Sequence, residues 1–218
     1  MTTRFKICCM QNVEEARLAV DHGASALGFV SAMPSGFGPI GDDLIARIIA
    51  TVPPHVATFL LTCATDAGTI MNQQRRTGAN TLQLVDEVSI GMYAVLRDAL
   101  PNVSLVQVIH VEGEKSVRDA ASVAPHVDAI LLDSGNPSLK IKELGGTGRV
   151  HDWAISRRIR EEVEVPVFLA GGLRAENVGE AIASVRPYAV DVCTGLRTDG
   201  ALDPVKLEHF VTAVRAAA

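Results

Sequence analysis

The chain has 218 residues, 48% of them hydrophobic and only 4% aromatic, with a net charge of −5. That apolar share supports a sizeable core. The acidic balance and the lack of any basic block exclude a general nucleic-acid or membrane-surface binder, and the scarcity of rings excludes a large stacking site. No apolar run approaches the ~18 residues that a membrane span needs, and the stretch from Met1 to Phe5 opens no signal-peptide core. A cytoplasmic location is expected. Four cysteines, two of them adjacent at Cys8 and Cys9, match neither a disulfide framework nor a metal-site spacing, so reduced thiols and no bound metal are expected.

Strand and helix patterns alternate along the chain. Phe5 to Cys9 reads as a strand. Asn12 then suits a helix N-cap, and Val13, Ala16, Ala19 and Val20 mark one helical face, ended by His22-Gly23. Ala26 to Val30 is a second apolar strand. The stretch from Ser31 to Ile40 holds two glycines and two prolines and reads as a loop, after which Asp42-Asp43 opens a helix to Val52. The unit repeats with strands over 56–62, 81–85, 105–111, 129–133, 167–170 and 189–193. The matching helices cover 66–77, 90–100, 114–124, 153–163, 176–185 and 204–216. Strands apolar on both faces belong in a parallel sheet covered by helices. Eight strand–helix units in this length predict an α/β fold, a single (β/α)8 TIM barrel forming one domain over residues 1–218. A flavodoxin-like open sheet would use only five or six strands.

In such a barrel, function sits in the loops after the strands. The sixth strand runs from Ala129 into Asp133, a carboxylate at its tip, and a glycine-rich loop follows at Gly145-Gly146-Thr147-Gly148. Glycines also stand at the next two tips, Gly171-Gly172 and Thr194-Gly195. Bare backbone amides, with the hydroxyls of Thr147 and Thr194, suit a phosphate better than tight turning alone explains. Cys8 and Asp133 are the titratable pair. They come from strands that are not neighbours, so their side chains are expected to face each other across the mouth. A thiolate serves as a general base and a carboxylic acid as a general acid. From the residues alone, a buried core thiol and a loop-capping Asp fit these positions equally well. Gln83 and Asp86 stand at the fourth tip and Gln107 and His110 at the fifth. His110 fits a solvated loop histidine as well as a ligand contact.

Taken together, several of these segments resemble one known family. They are Lys6-Ile7-Cys8, the helix opening from Asn12 to Ala16, Leu131-Leu132-Asp133, the 145–148 loop followed by Asp152-Trp153, the run from Leu169 to Leu173 with Asn177-Val178, and the run from Arg186 to Val192. They resemble the phosphoribosylanthranilate isomerases, barrel enzymes of tryptophan biosynthesis, along the whole chain. The resemblance implies an Amadori rearrangement of an N-(5-phosphoribosyl)amine to the 1-amino-1-deoxyribulose 5-phosphate. It implies Asp133 as the acid and Cys8 as the base, with Gly145, Gly146, Thr147, Gly148, Gly171, Gly172, Thr194 and Gly195 around the phosphate. It implies a phosphorylated small-molecule substrate and no cofactor, because the substrate nitrogen is the electron sink. Monomer and homodimer both suit the fold.

Three departures stand out. Cys9 replaces the glycine of the family's Lys-Ile-Cys-Gly, placing a Cβ where the backbone wants room or a positive φ. The stretch from Ser31 to Ile40 contains no Arg or Lys, although the family's second loop carries an arginine for the anthranilate carboxylate. The fourth strand ends Gln83-Leu84-Val85-Asp86 where the family reads Gln-Leu-His-Gly. The phosphate end is kept and the aglycone end is rewritten. Arg197 and Arg149 are the candidate replacement cations, with Gln83, Gln107 and His110 as further substrate contacts. Two alternatives follow: an isomerase of another phosphorylated aminosugar or sugar phosphate, and a non-catalytic barrel binding a phosphorylated metabolite. Turnover separates the first class from the last.

Overall fold

Eight parallel strands close on themselves, each paired with the next and the last with the first. The computed structural model describes residues 3–34, 36–135 and 149–217. The strands are β1 (Arg4–Ile7), β2 (Ala26–Val30), β3 (Ala57–Thr62), β4 (Thr81–Leu84), β5 (Ser104–His110), β6 (Ala129–Asp133), β7 (Val167–Leu169) and β8 (Ala189–Val192). The helices are α1 (Val13–Asp21), α2 (Asp42–Ile49), α3 (Ala67–Thr77), α4 (Ile90–Ala99), α5 (Glu114–Val123), α6 (Trp153–Glu162), α7 (Ala175–Val185) and α8 (Pro204–Ala216). The predicted (β/α)8 barrel is therefore the observed one.

Side-chain caps start several of the helices. Asn12 Oδ1 accepts from the Glu15 amide at 2.8 Å, Asp66 Oδ1 from Thr69 at 2.8 Å and Asp152 Oδ1 from Ala154 at 2.8 Å. Asp203 caps α8, whose first residue is Pro204, where the missing N–H is no loss. Side chains alternate between the two faces of each strand. One set fills the barrel interior: Ala26, Val30, Phe59, Leu61, Val106, Val108, Ala129, Leu131 and Phe168, with Cys8. The other set, including Ile7, Leu27, Phe29, Leu60, Leu82, Ile130 and Val190, packs outward beneath the helices. Both sets are buried, which is why the strands read as largely apolar runs rather than as alternating ones.

The seam between β1 and β8 is polar inside. Lys6 and Asp191 are register partners, and Lys6 Nζ donates to Asp191 Oδ2 at 2.7 Å. Lys6 is 0% exposed and Asp191 6%. The ammonium also lies 5.2 Å from the centre of the Phe59 ring, within cation–π range.

The structure departs from the expected elements at three places. β1 ends at Ile7 rather than running to Cys9, because Cys9 has φ +65° and turns the chain out of the strand. α2 ends at Ile49, and Ala50 to Val52 close it as turns onto Ala46, Ile48 and Ile49. A short hairpin, β9 (Arg197–Thr198) with β10 (Ala201–Leu202), lies between β8 and α8 where only loop was expected. Gly38, at φ +107°, fits beneath the turn at Cys9: a Cβ there would stand 2.7 Å from the Cβ of Cys9.

Two expectations follow. Lys6→Met leaves Asp191 as an unpaired buried charge and should destabilise the protein by about 3–5 kcal/mol in urea titration, whereas Lys6→Met with Asp191→Leu should recover most of that loss. Gly38→Ala combines a left-handed backbone with a direct clash and should lower stability by about 1–3 kcal/mol in the same assay.

Candidate active site

The C-terminal ends of the strands gather the acid and thiol singled out in the sequence. Cys8 follows β1 directly, its amide donating to the Val192 carbonyl of β8 at 2.8 Å. Its sulfur faces the bare α-carbon of Gly28 on β2. A Cβ on Gly28 would fall 2.7 Å from Cys8 Sγ and 3.0 Å from Lys6 Nζ, so only glycine leaves space for both groups. Asp133 ends β6 on the same inward face as Ala129 and Leu131, by the strand's alternation. It is half-buried, and its Oδ1 accepts from the Ser134 amide at 2.7 Å.

The Cys9 thiol, burial, the Lys6 ammonium and the opposing charge of Asp191 set the protonation of Cys8. A hydrogen bond from the Cys9 thiol holds the Cys8 thiol below its ordinary range; burial works against this, and the Lys6 ammonium adds to it. Cys9 moves the other way, well above its ordinary range, through its thiol hydrogen bonds to Cys193 and Cys8 and its burial. The two shifts run in opposite directions, favouring the thiolate at Cys8 over the thiolate at Cys9. Burial works to lower the pKa of the Lys6 ammonium, but Asp191, Cys8 and Cys9 together outweigh it and raise that pKa. A buried thiolate beside a buried ammonium is an arrangement for a base, since the thiolate is the reactive form.

The glycine tips converge on one side of the mouth. Gly171 and Gly172 follow β7 with φ +83° and +63°. Thr194 opens a short 3-10 turn after β8 and is exposed. Gly195, the next residue, presses on the neighbouring loop: a Cβ there would fall 2.1 Å from the Leu173 carbonyl. The tips of β7 and β8 are thus in contact. Gly145, Gly146, Thr147 and Gly148 lie outside the described residues.

The candidate substrate contacts divide by strand parity. Gln83 pairs in register with inward-facing Leu61, is buried, and its Oε1 has no partner in the protein. His110, in register with Asp133, donates Nε2–H to the Val85 carbonyl at 3.0 Å. That bond assigns the ring proton to Nε2 and leaves Nδ1 as a buried acceptor without a protein partner. Gln107, one residue out of phase, faces α4 instead. Its Nε2 donates to the Leu84, Asp86 and Val108 carbonyls at 3.0–3.1 Å, and its Oε1 accepts from Tyr93 Oη at 2.9 Å. All its polar capacity is taken by the fold, which corrects its reading as a substrate contact.

Arg197 is corrected too, because both of its terminal nitrogens are engaged by the fold, although its Nε is buried without a protein partner. Its Nη1 and Nη2 donate to the two carboxylate oxygens of Glu15, each at 3.0 Å. Nη2 also donates to the Cys9 carbonyl at 2.5 Å and Nη1 to the Gly200 carbonyl at 2.8 Å. The guanidinium lies 4.7 Å from the centre of the Phe37 ring in the loop after β2. This is a buried fork–fork pair, wired to backbone, and not a cation presented to a ligand carboxylate.

Sequence reasoning missed His151. It precedes the α6 cap, and its Nδ1 would lie 2.8 Å from a Cβ on Gly171. Both ring nitrogens are buried without a protein partner. Burial pushes its pKa down, against the nearby charges of Asp133 and Asp152. The available signal was its place between the glycine-rich loop and Asp152. Among the described residues, no three His, Cys, Asp or Glu side chains are grouped to hold a metal ion, and no helix is long and apolar enough to cross a membrane.

The chain matches known proteins along its length. The sequence profile described as N-(5'-phosphoribosyl)anthranilate (PRA) isomerase matches residues 5–213. N-(5'-phosphoribosyl)anthranilate isomerase 2 of Methanosarcina mazei is 37% identical over 210 residues, covering 95% of this chain and 92% of that protein. The crystal structure of phosphoribosyl anthranilate isomerase from Thermotoga maritima superposes with a TM-score of 0.84 at 29% identity, covering 98% of this chain and 99% of that one. A further phosphoribosyl anthranilate isomerase, crystallised in complex with reduced 1-(o-carboxyphenylamino)-1-deoxyribulose 5-phosphate, gives 0.81 at 27% identity, covering 98% and 99%. A profile match over nearly the whole chain, on the barrel and around the residues just described, makes this chain a member of the N-(5'-phosphoribosyl)anthranilate isomerase family.

Proposed function

We propose that this protein catalyses the Amadori rearrangement of N-(5'-phosphoribosyl)anthranilate to 1-(o-carboxyphenylamino)-1-deoxyribulose 5-phosphate, a step of tryptophan biosynthesis in the cytoplasm. The observation that carries the reading is the buried Cys8 sulfur, close to the Lys6 ammonium and on the inward face that Asp133 shares from β6.

Asp133 is the general acid. It gives its proton to the furanose ring oxygen as the C1–O bond breaks, and the nitrogen lone pair forms the C=N bond of the Schiff base. The Cys8 thiolate then removes the proton from C2, and the C–H electrons form the C1=C2 bond while nitrogen recovers its lone pair. The resulting enolamine takes a proton at C1 as its C2 hydroxyl becomes the ketone. The atoms balance within the substrate, and no redox partner enters. Lys6 favours the thiolate that begins the second step, and Cys9 retains the competing proton.

The phosphate belongs at the joined tips of β7 and β8, with the amides of Gly171, Gly172 and Gly195 and the hydroxyl of Thr194 as donors. The free acceptors Gln83 Oε1 and His110 Nδ1 on the other side of the mouth suit the hydroxyls and amine of the substrate. Arg197 is bound by Glu15 and is therefore not the cation for the anthranilate carboxylate. The active species is written here as one chain; among relatives, a dimeric phosphoribosylanthranilate isomerase from Thermotoga maritima is known.

The decay of anthranilate fluorescence on mixing with freshly prepared phosphoribosylanthranilate measures turnover. Asp133→Asn and Cys8→Ser should each lower kcat by about 10²–10⁴-fold, the range for losing one general acid or base. Full activity in both variants would refute the assignment. The pH profile gives a second check. The acid limb of kcat/KM should report Cys8 and fall below the ordinary thiol pKa of about 8.5. Activity needs the thiolate, so it rises with pH through that limb. Cys9→Gly removes the hydrogen bond that favours the thiolate, and the limb should move to higher pH.

A further inference from the structure

We infer that Arg197 and Glu15 form a clamp that holds the Cys9 peptide in its left-handed turn and thereby aims the Cys8 sulfur into the barrel mouth; Arg197 is a positioning residue for proton abstraction. The inference rests on the reading of Cys8 as the base.

The starting point is a local conflict. Cys9 occupies φ +65°, a conformation that an L-residue with a Cβ adopts reluctantly. It directly follows Cys8, so any relaxation at 9 swings the Cys8 side chain. Something has to hold this peptide, and the structure supplies two donors to its carbonyl. Arg197 Nη2 reaches it at 2.5 Å and Gln11 Nε2 at 3.3 Å.

Gln11 is itself tied in, with Nε2 donating to the Gly38 carbonyl at 2.9 Å and its amide to Glu15 Oε2 at 3.1 Å. Glu15 Oε1 accepts from the Leu202 amide at 3.0 Å as well as from Arg197. The carboxylate thus joins the start of α1 to the β9–β10 hairpin, while the guanidinium joins both to Cys9. The guanidinium also lies over the Phe37 ring. One ion pair therefore ties the loops after β1, β2 and β8 around a single strained peptide.

Stability alone is a poor reason for such a pair. Withdrawing two charges from water offsets most of their attraction, so a buried ion pair adds little to folding over apolar residues of the same shape. Holding geometry is the use that its form suits. Arginine presents a rigid planar fork that can bond a carboxylate with both terminal nitrogens and still reach a carbonyl beside it; lysine offers one compact ammonium and cannot do both.

The test is a comparison of Arg197→Met in two backgrounds. In the wild-type chain it should lower kcat at least about tenfold with KM within about threefold, the signature of losing a contribution made only in the transition state. Its acid limb should shift to higher pH, because the Cys9 thiol no longer stays beside Cys8. In the Cys9→Gly chain, glycine takes the left-handed turn without a clamp, and the same substitution should cost less than about threefold in kcat. Arg197→Lys should recover only part of the loss, and it carries the same comparison if Arg197→Met does not fold. A raised KM with unchanged kcat would overturn the inference in favour of a substrate contact. An equal loss in both backgrounds would overturn it by showing that Arg197 does not act through Cys9. If Cys8→Ser retains full activity, the assignment of the base fails first, and this inference falls with it.

Discussion

The Lys6–Asp191 pair sits where the barrel closes. β1 and β8 are the two ends of the strand order, and their seam carries a buried ammonium and carboxylate 2.7 Å apart. Neither residue is tolerable inside a protein without the other. Closure places Lys6 beneath Cys8, and the glycine at 28 leaves open the space the two groups share. A structural requirement of the closed sheet thus becomes an electrostatic one for the site: the charge that completes the seam also favours a thiolate at its tip.

Above the seam, order comes from polar wiring more than from apolar packing. Cys9, Gln11, Glu15, Gly38, Phe37, Arg197 and Leu202 come from three separate segments, the turn into α1, the loop after β2 and the β9–β10 hairpin, yet their hydrogen bonds and ring contact form one network. Two of the three departures from the family pattern meet here. Cys9 takes the left-handed turn that glycine otherwise serves, and glycine appears across from it at 38. The loop after β2 carries no cation of its own, and its Phe37 instead packs on the guanidinium of Arg197. At the fourth tip, Val85 stands in place of a histidine, and the imidazole of His110 from the adjacent strand bonds to the Val85 carbonyl.

Much of the fold was legible because its signals are local. An apolar run of four to seven residues, a cap such as Asn12 or Asp203, and a helical stripe each depend on neighbours within a turn or two. The strand-tip position of Asp133 and the glycines at the β7 and β8 tips follow from the same periodicity. The misplaced ones fail for a common reason. Gln107 and His110 look alike as polar residues near one strand end, yet one residue of phase turns Gln107 toward Tyr93 and α4. Arg197 looks like an available cation until the fold brings Glu15 to it.

The sequence by itself determined the alternation of eight strands and eight helices, the barrel they make, and the strand tips that carry Cys8, Asp133 and the glycines. Periodicity and capping act over a few residues, and a parallel sheet of this size has few ways to close. Only the tertiary structure decided which polar groups face the mouth and which are consumed in building it. Glu15 and Arg197 are 182 positions apart, and Lys6 and Asp191 are 185 apart. No local pattern specifies such pairs; they exist because the last strand returns to lie beside the first. Handedness at Cys9 was settled the same way. Its own side chain argues against a positive φ, and the shorter of the two hydrogen bonds that hold its carbonyl comes from the far end of the chain.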